Sequence, residues 1–298
     1  MAGLAANLRV DTLTAEAVTA LRSDGVRTVL LKGPAIARWL YDAPGDRTYA
    51  DSDLLIAPGD VRRAERSLRR LGFRPGEWEA WLRRARSWSS ARGTVDLHTS
   101  LFGLDASAEE AWSALSRTTE AMSVGGADVE VLALPARALH VAAHVAQHPA
   151  SHAHAQARED LKRAVERVSA DTWDAAAALA RELGAEAALA AGLHQVDGGA
   201  ALAEKLGVDP AGSAGVALHA EDAPWTALGF AEIAAADSAR LRIALAARAI
   251  VPTASSMRRY SALANRGRTG LALAYVMRTV RLASGAPAGF VQWRRAGR

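Results

Sequence analysis

The chain has no cysteine, which excludes disulfides and thiolate metal sites and suits a reducing compartment. Lysine is nearly missing: Lys32, Lys162 and Lys205 stand against 33 arginines. Aromatic residues make up 5% of the chain, while half of it is apolar, an ordinary balance for a globular protein. No uncharged apolar run reaches the roughly 18 residues that would argue for a membrane span. The opening stretch, MAGLAANLRVDTLTAEAV, lacks a basic segment followed by an apolar core, so no signal peptide is expected and a cytoplasmic location is. Acidic residues are missing from Ser238 to Arg298, where twelve arginines fall. With a net charge of +4 overall, residues 1–237 are left at about −8. That asymmetry suits an anionic partner, nucleic acid included. It equally suits a basic face covering acidic surface of the same chain or of a second subunit.

What is present is concentrated between Val29 and Ile56, VLLKGPAIARWLYDAPGDRTYADSDLLI. It reads as a strand, a turn at Lys32-Gly33, a helix, a loop and a second strand that opens with Asp51-Ser52-Asp53. On a strand, residues i and i+2 share a face, so Asp51 and Asp53 project together. Paired carboxylates repel unless a cation sits between them, and hard divalent ions that bridge phosphates do so. Pro34 favours a helix start, whose N–H groups form a phosphate site. A phosphate cradle followed by a carboxylate pair points to an enzyme acting on a nucleoside triphosphate.

Helices are expected over 13–23, 34–41 and 59–71, with strands over 28–31, 52–57, 87–92, 94–99 and 129–132. After Pro135 the pattern becomes alanine-rich and helical, over 136–147, 159–168, 173–183, 185–193 and 238–249. The segment 207–224 reads as loop, and the Gly- and Pro-bearing tail after Ser284 reads as partly disordered. No fixed-period repeat is evident. The fold class is α+β, with a mixed sheet and flanking helices over 1–134 and an all-helical domain over 135–298.

A third carboxylate, Asp96, lies between Val95 and Leu97. Alternation puts it on one face with His98. Together these residues resemble the nucleotidyltransferase superfamily, whose fold is that of DNA polymerase β. Its pattern is a glycine-bearing turn, a D-x-D strand and a later carboxylate on a neighbouring strand, matched by Gly33, Asp51, Asp53 and Asp96. More narrowly, Leu31-Lys32-Gly33, Arg47, Asp51 to Leu55 and Val95 to His98 resemble an uncharacterised bacterial branch of it. Where the superfamily usually carries Gly-Ser or Gly-Gly, this chain has Lys32-Gly33-Pro34, so that Lys32 supplies a point charge in place of a hydroxyl.

The resemblance implies metal-dependent transfer of a nucleotidyl group from a nucleoside triphosphate, ATP first, to a hydroxyl-bearing acceptor, releasing pyrophosphate. Asp51, Asp53 and Asp96 would be catalytic and would hold Mg²⁺ or Mn²⁺, with Asp96 the candidate base. Lys32, Gly33 and Arg47 would bind the triphosphate. The acceptor could be a small molecule, a peptide or a protein; nucleic acid is the less favoured partner. Competing readings are a binding or regulatory protein on the same fold and an RNA-directed transferase using the basic C-terminal segment.

His140, His144 and His148 recur every four residues on one face of a helix, with His152 and His154 beyond. The sequence H-V-A-A-H lacks the glutamate of a hydrolytic zinc helix. The stripe therefore reads first as structural histidines or as the wall of an acceptor cleft, with His98, His140, His144 and Asp160 as candidate acceptor-binding residues. Trp78, Trp81 and Trp88 read as packing anchors, with ligand stacking as the alternative.

Overall fold

The computed structural model describes residues 2–76, 85–148, 155–221, 223–236 and 239–297. They form two compact units, divided after Pro210.

The first unit holds a mixed sheet in the order β3-β4-β5-β2-β1-β7-β6. Its strands are β1 (Thr28–Leu30), β2 (Asp51–Ile56), β3 (Arg74–Pro75), β4 (Ala85–Ser90), β5 (Gly93–His98), β6 (Thr119–Val124) and β7 (Ala127–Leu132). The pairs β2·β5 and β1·β7 are parallel and the rest antiparallel. Around it lie α1 (Ala2–Ser23), α2 (Pro34–Leu40), α3 (Val61–Arg70), α4 (Ala108–Leu115), α5 (Leu134–Ala146), α6 (Ala155–Arg167), α7 (Ala170–Leu183), α8 (Glu186–Leu193) and α9 (Gly199–Leu206).

Strand alternation sends side chains to two separate cores. Leu30, Leu54, Ile56, Val95 and Leu97 pack with Leu13, Val18 and Leu21 of α1 and Leu68 of α3. Val29, Leu55 and Leu132 pack on the other face with Ile36 of α2, Leu139 of α5, Leu161 of α6 and Leu189 of α8. The helices after β7 thus share a core with the sheet. The strand-to-helix change at Leu134 and the division between compact units after Pro210 are two different places. Helix α5 is buried along most of its length, and Gly192 of α8 crosses it so closely that a Cβ there would stand 2.0 Å from the Ala142 carbonyl oxygen.

Helix α1 begins at Ala2, well before the Leu13 read from the apolar pattern. Its buried stripe, Asn7, Val10, Asp11, Thr14, Ala17, Val18 and Leu21, has helical spacing throughout. The first half of that stripe carries polar residues, so hydrophobic periodicity fades there. Those polar residues have partners. Asn7 Nδ2 donates to the Arg47 carbonyl at 2.9 Å, the Tyr49 amide donates to Asn7 Oδ1 at 3.2 Å, and the Tyr49 hydroxyl donates to Asp11 Oδ1 at 2.7 Å.

The second unit contains α10 (Ala214–Ala220), α11 (Trp225–Ala234), α12 (Ala239–Ile250), α13 (Ala254–Tyr260) and α14 (Gly267–Ala296). Two expectations are corrected here. The segment 207–224 includes α10, and the tail after Ser284 lies within the 30-residue α14, which runs through Pro287. Close packing explains the second point. Gly289 lies against Thr226 and Ala227 of α11, Phe290 meets Phe230 edge-on at a centroid distance of 5.5 Å, and Trp293 stacks on Phe230 at 6.0 Å. The contact with α11 offsets the backbone bond that a proline removes from a helix. Among the described residues, no helix is long and apolar enough to cross a membrane.

Candidate active site

Parallel pairing of β2 with β5 sets Asp53 beside Asp96, with Asp51 beside Thr94 and Leu55 beside His98. Leu55 belongs to the core under α5, so Asp53, two residues earlier, faces that side as well. Val95 and Leu97 belong to the opposite core, which turns Asp96 and His98 toward α5 too. On the antiparallel side, the Leu31 amide donates to the Asp53 carbonyl at 2.9 Å, and Lys32 follows directly.

The result is a compact cluster. One ligand atom from each of Asp53, Asp96 and His98 lies within 4.8 Å of the others. Asp53 is 3% exposed and its Oδ1 accepts from Lys32 Nζ at 3.1 Å and lies 2.9 Å from His98 Nε2. Burial alone would raise this carboxyl, but Lys32 and His98 outweigh it and hold Asp53 well below the usual carboxylate range. Asp51 moves the other way, raised by burial and then by the Asp53 charge, with Asp96 adding to it against Lys32. Asp51 stands outside the three-residue cluster and couples to it through charge. Asp96 Oδ1 is buried with no hydrogen-bond partner among the described residues. An orphaned carboxylate oxygen beside a second carboxylate and an imidazole matches the donor set of a divalent cation site.

At the turn, Gly33 has φ of 60° and ψ of −121°, a conformation that favours glycine. Helix α2 then runs for seven residues. Pro34 has no N–H, and the amides of Ala35, Ile36 and Ala37 donate to the Lys32 and Gly33 carbonyls at 3.0–3.3 Å. The helix start therefore offers fewer backbone donors than the sequence suggests, and the main charge at the turn is the Lys32 ammonium.

Arg47 and Asp160 were candidates for two different ligands, and each has the other as partner. Arg47 Nε donates to both Asp160 oxygens at 2.8 and 3.0 Å, and its Nη2 donates to Oδ2 at 2.8 Å. The Tyr41 hydroxyl donates to Asp160 Oδ1 at 2.6 Å, and both charged groups are buried. The hydrogen bond and negative charge of Asp160, after burial as the larger cause, push the Tyr41 hydroxyl well above its ordinary range. Tyr41, Asn7 and Asp11 carry no motif; only their place on buried helix faces or beside them could have drawn attention to them.

The histidine stripe lies in the same unit. His140 is buried and neither ring nitrogen has a partner among the described residues. Burial first, and then the Lys32 ammonium, push its imidazole down to about 3, while Asp53 pulls the other way. His144 is driven down by the same two causes. Its ring stacks on His140 at 6.1 Å and meets His148 edge-on at 5.0 Å. Among the described residues the three imidazoles do not gather into a metal-sized cluster. Trp88 lies in the core opposite the carboxylates, paired with Val95, so it is a packing anchor. Trp78, Trp81, His152 and His154 lie outside the described residues.

A mixed sheet carrying two neighbouring carboxylates beyond a glycine turn is the arrangement of a nucleotidyltransferase fold. The chain matches the model of a family described as uncharacterised nucleotidyltransferase over residues 4–197, and it belongs to that family. Among solved structures it is similar to the antibiotic-resistance factor ANT(2'')-Ia, at 16% identity and a TM-score of 0.44, covering 57% of this chain and 91% of that one. It is also similar to an antigenic nucleotidyltransferase-like protein from Paracoccidioides brasiliensis, at 15% identity and a TM-score of 0.37, covering 61% and 93%. No curated protein matches.

Proposed function

We propose that this chain transfers a nucleotidyl group from a nucleoside triphosphate, ATP first, to a hydroxyl-bearing acceptor and releases pyrophosphate, using Mg²⁺ or Mn²⁺. The observation that carries the reading is the Asp53–Asp96–His98 cluster with its orphaned Asp96 oxygen. Asp53, Asp96 and His98 would hold the cation, with Asp51 beside them. When bound, the cation neutralises charge on the α-phosphate and on the leaving pyrophosphate.

The acceptor oxygen bonds to the α-phosphorus as the bond from that phosphorus to the bridging oxygen breaks, and pyrophosphate leaves with the electron pair. Asp96 takes the hydroxyl proton. Lys32 and the Gly33 turn bind the phosphates. Arg47 contributes positive potential while bonded to Asp160 and holds the loop before β2 in place. His140 and His144, on the helical region that begins at residue 135, border the acceptor. A neutral imidazole offers one donor and one acceptor, which suits an uncharged hydroxyl. The acceptor is a small molecule, a peptide or a protein side chain.

The test is a screen of the four common ribonucleoside triphosphates with Mg²⁺ or Mn²⁺ against cell extract, following pyrophosphate release and label transfer. Wild type should transfer label from at least one triphosphate and Asp96→Asn should not. Equal transfer by the two proteins would refute the assignment.

A further inference from the structure

We propose that Lys32 holds the place of a cation at Asp53 until a triphosphate arrives, so that the site takes metal as its triphosphate complex rather than as the free ion. This rests on the metal-dependent reading above.

Asp53 is the most buried of the three site carboxylates, and Lys32 Nζ lies 3.1 Å from its Oδ1. His98 Nε2 approaches the same oxygen at 2.9 Å. A free divalent ion entering the Asp53–Asp96–His98 cluster meets an ammonium already bonded to one of its ligands. It must displace that ammonium from Asp53 or accept its repulsion. A triphosphate changes the balance, because its oxygens give the displaced ammonium a new anionic partner.

The side chain suits such a transfer. Lysine is a point charge on a flexible four-carbon stem, and the Lys32 side chain is 21% exposed. Arg47 cannot substitute for it. Its guanidinium is fixed by three hydrogen bonds to the Asp160 carboxylate, in a pair buried on both sides. Lys32 is also the sole lysine before Lys162. Arg47 is therefore locked, and Lys32 can move.

The experiment is titration of the purified full chain with Mn²⁺ alone, read from the electron paramagnetic resonance signal of the free ion. It compares wild type, Lys32→Met, Lys32→Arg and Asp53→Asn. Loss of the competing charge-assisted hydrogen bond should tighten Mn²⁺ binding by Lys32→Met about tenfold. Lys32→Arg should keep the weak binding of wild type. Affinity of Lys32→Met for a non-hydrolysable triphosphate analogue should fall. If Lys32→Met does not fold, Lys32→Gln, which retains a donor to Asp53 without the charge, should tighten Mn²⁺ binding in the same direction. Unchanged or weaker Mn²⁺ binding by a folded neutral variant overturns the proposal. Wild-type Mn²⁺ affinity in Asp53→Asn would overturn the metal reading itself, a result distinct from the first.

Discussion

The strand pair β2·β5 and helix α5 each bring buried ionisable groups to the same face of the sheet, and they treat them differently. Asp53 is charged and has partners, Lys32 and His98, on its Oδ1. His140 is held neutral, and both its nitrogens lack partners among the described residues. A buried charge is costly without an opposite charge, whereas a neutral imidazole carries the smaller penalty of unmade hydrogen bonds. On the strand side Asp53 is thus paired, and the proposed metal would have to exchange one of its partners. The helix side stands ready to accept one.

The largest effect expected from breaking this contrast is on the strand side. Asp53→Asn should lower nucleotidyl transfer at least about 10³-fold, some 4 kcal/mol of barrier, while circular dichroism stays that of wild type. Retained turnover would remove Asp53 from the site.

Next is the clamp that ties the loop before β2 to α6. Asp160→Ala leaves a buried guanidinium without its anion and should destabilise folding by about 3 kcal/mol in urea melts. The double variant Arg47→Met with Asp160→Ala should recover part of that. Equal losses in the single and double variants would mean the pair is not the cause.

The smallest effect is on the helix side and appears as a pH slope. The folded-state value of His140 lies near 3, below the ordinary 6.5. Between those values the unfolded chain holds a proton that the folded chain does not, so stability falls as pH drops below about 6.5. His140→Leu should flatten that fall between pH 6.5 and 5 by about 1.4 kcal/mol per pH unit. An unchanged slope would place the titrating group elsewhere.

Much of the strand side was legible in the sequence because alternation is strict. The spacing of Asp51 and Asp53, and of Asp96 and His98, fixed which side chains share a face before any pairing was known. The sequence did not reveal the register that sets Asp53 rather than Asp51 beside Asp96, since register depends on partners far along the chain. His98 was read as an acceptor contact and joins the carboxylate cluster instead of Asp51. The Arg47–Asp160 pair spans 113 residues, and neither residue signals the other locally. In α1 the obstacle was different: a buried stripe built partly of Asn7, Asp11 and Thr14 has the right spacing and the wrong polarity. The tail of α14 misled through Pro287 and Gly289, which are breakers by local rule and are accommodated by packing on α11.

Nucleotidyl transfer is tested most simply with one triphosphate labelled in turn at its α- and γ-phosphates, with Mn²⁺ and extract as the source of acceptor. The α-label alone should reach the acceptor, pyrophosphate should appear in equal amount, and Asp53→Asn should abolish both. Transfer of the γ-label, or α-label transfer that survives Asp53→Asn, would contradict the proposed reaction.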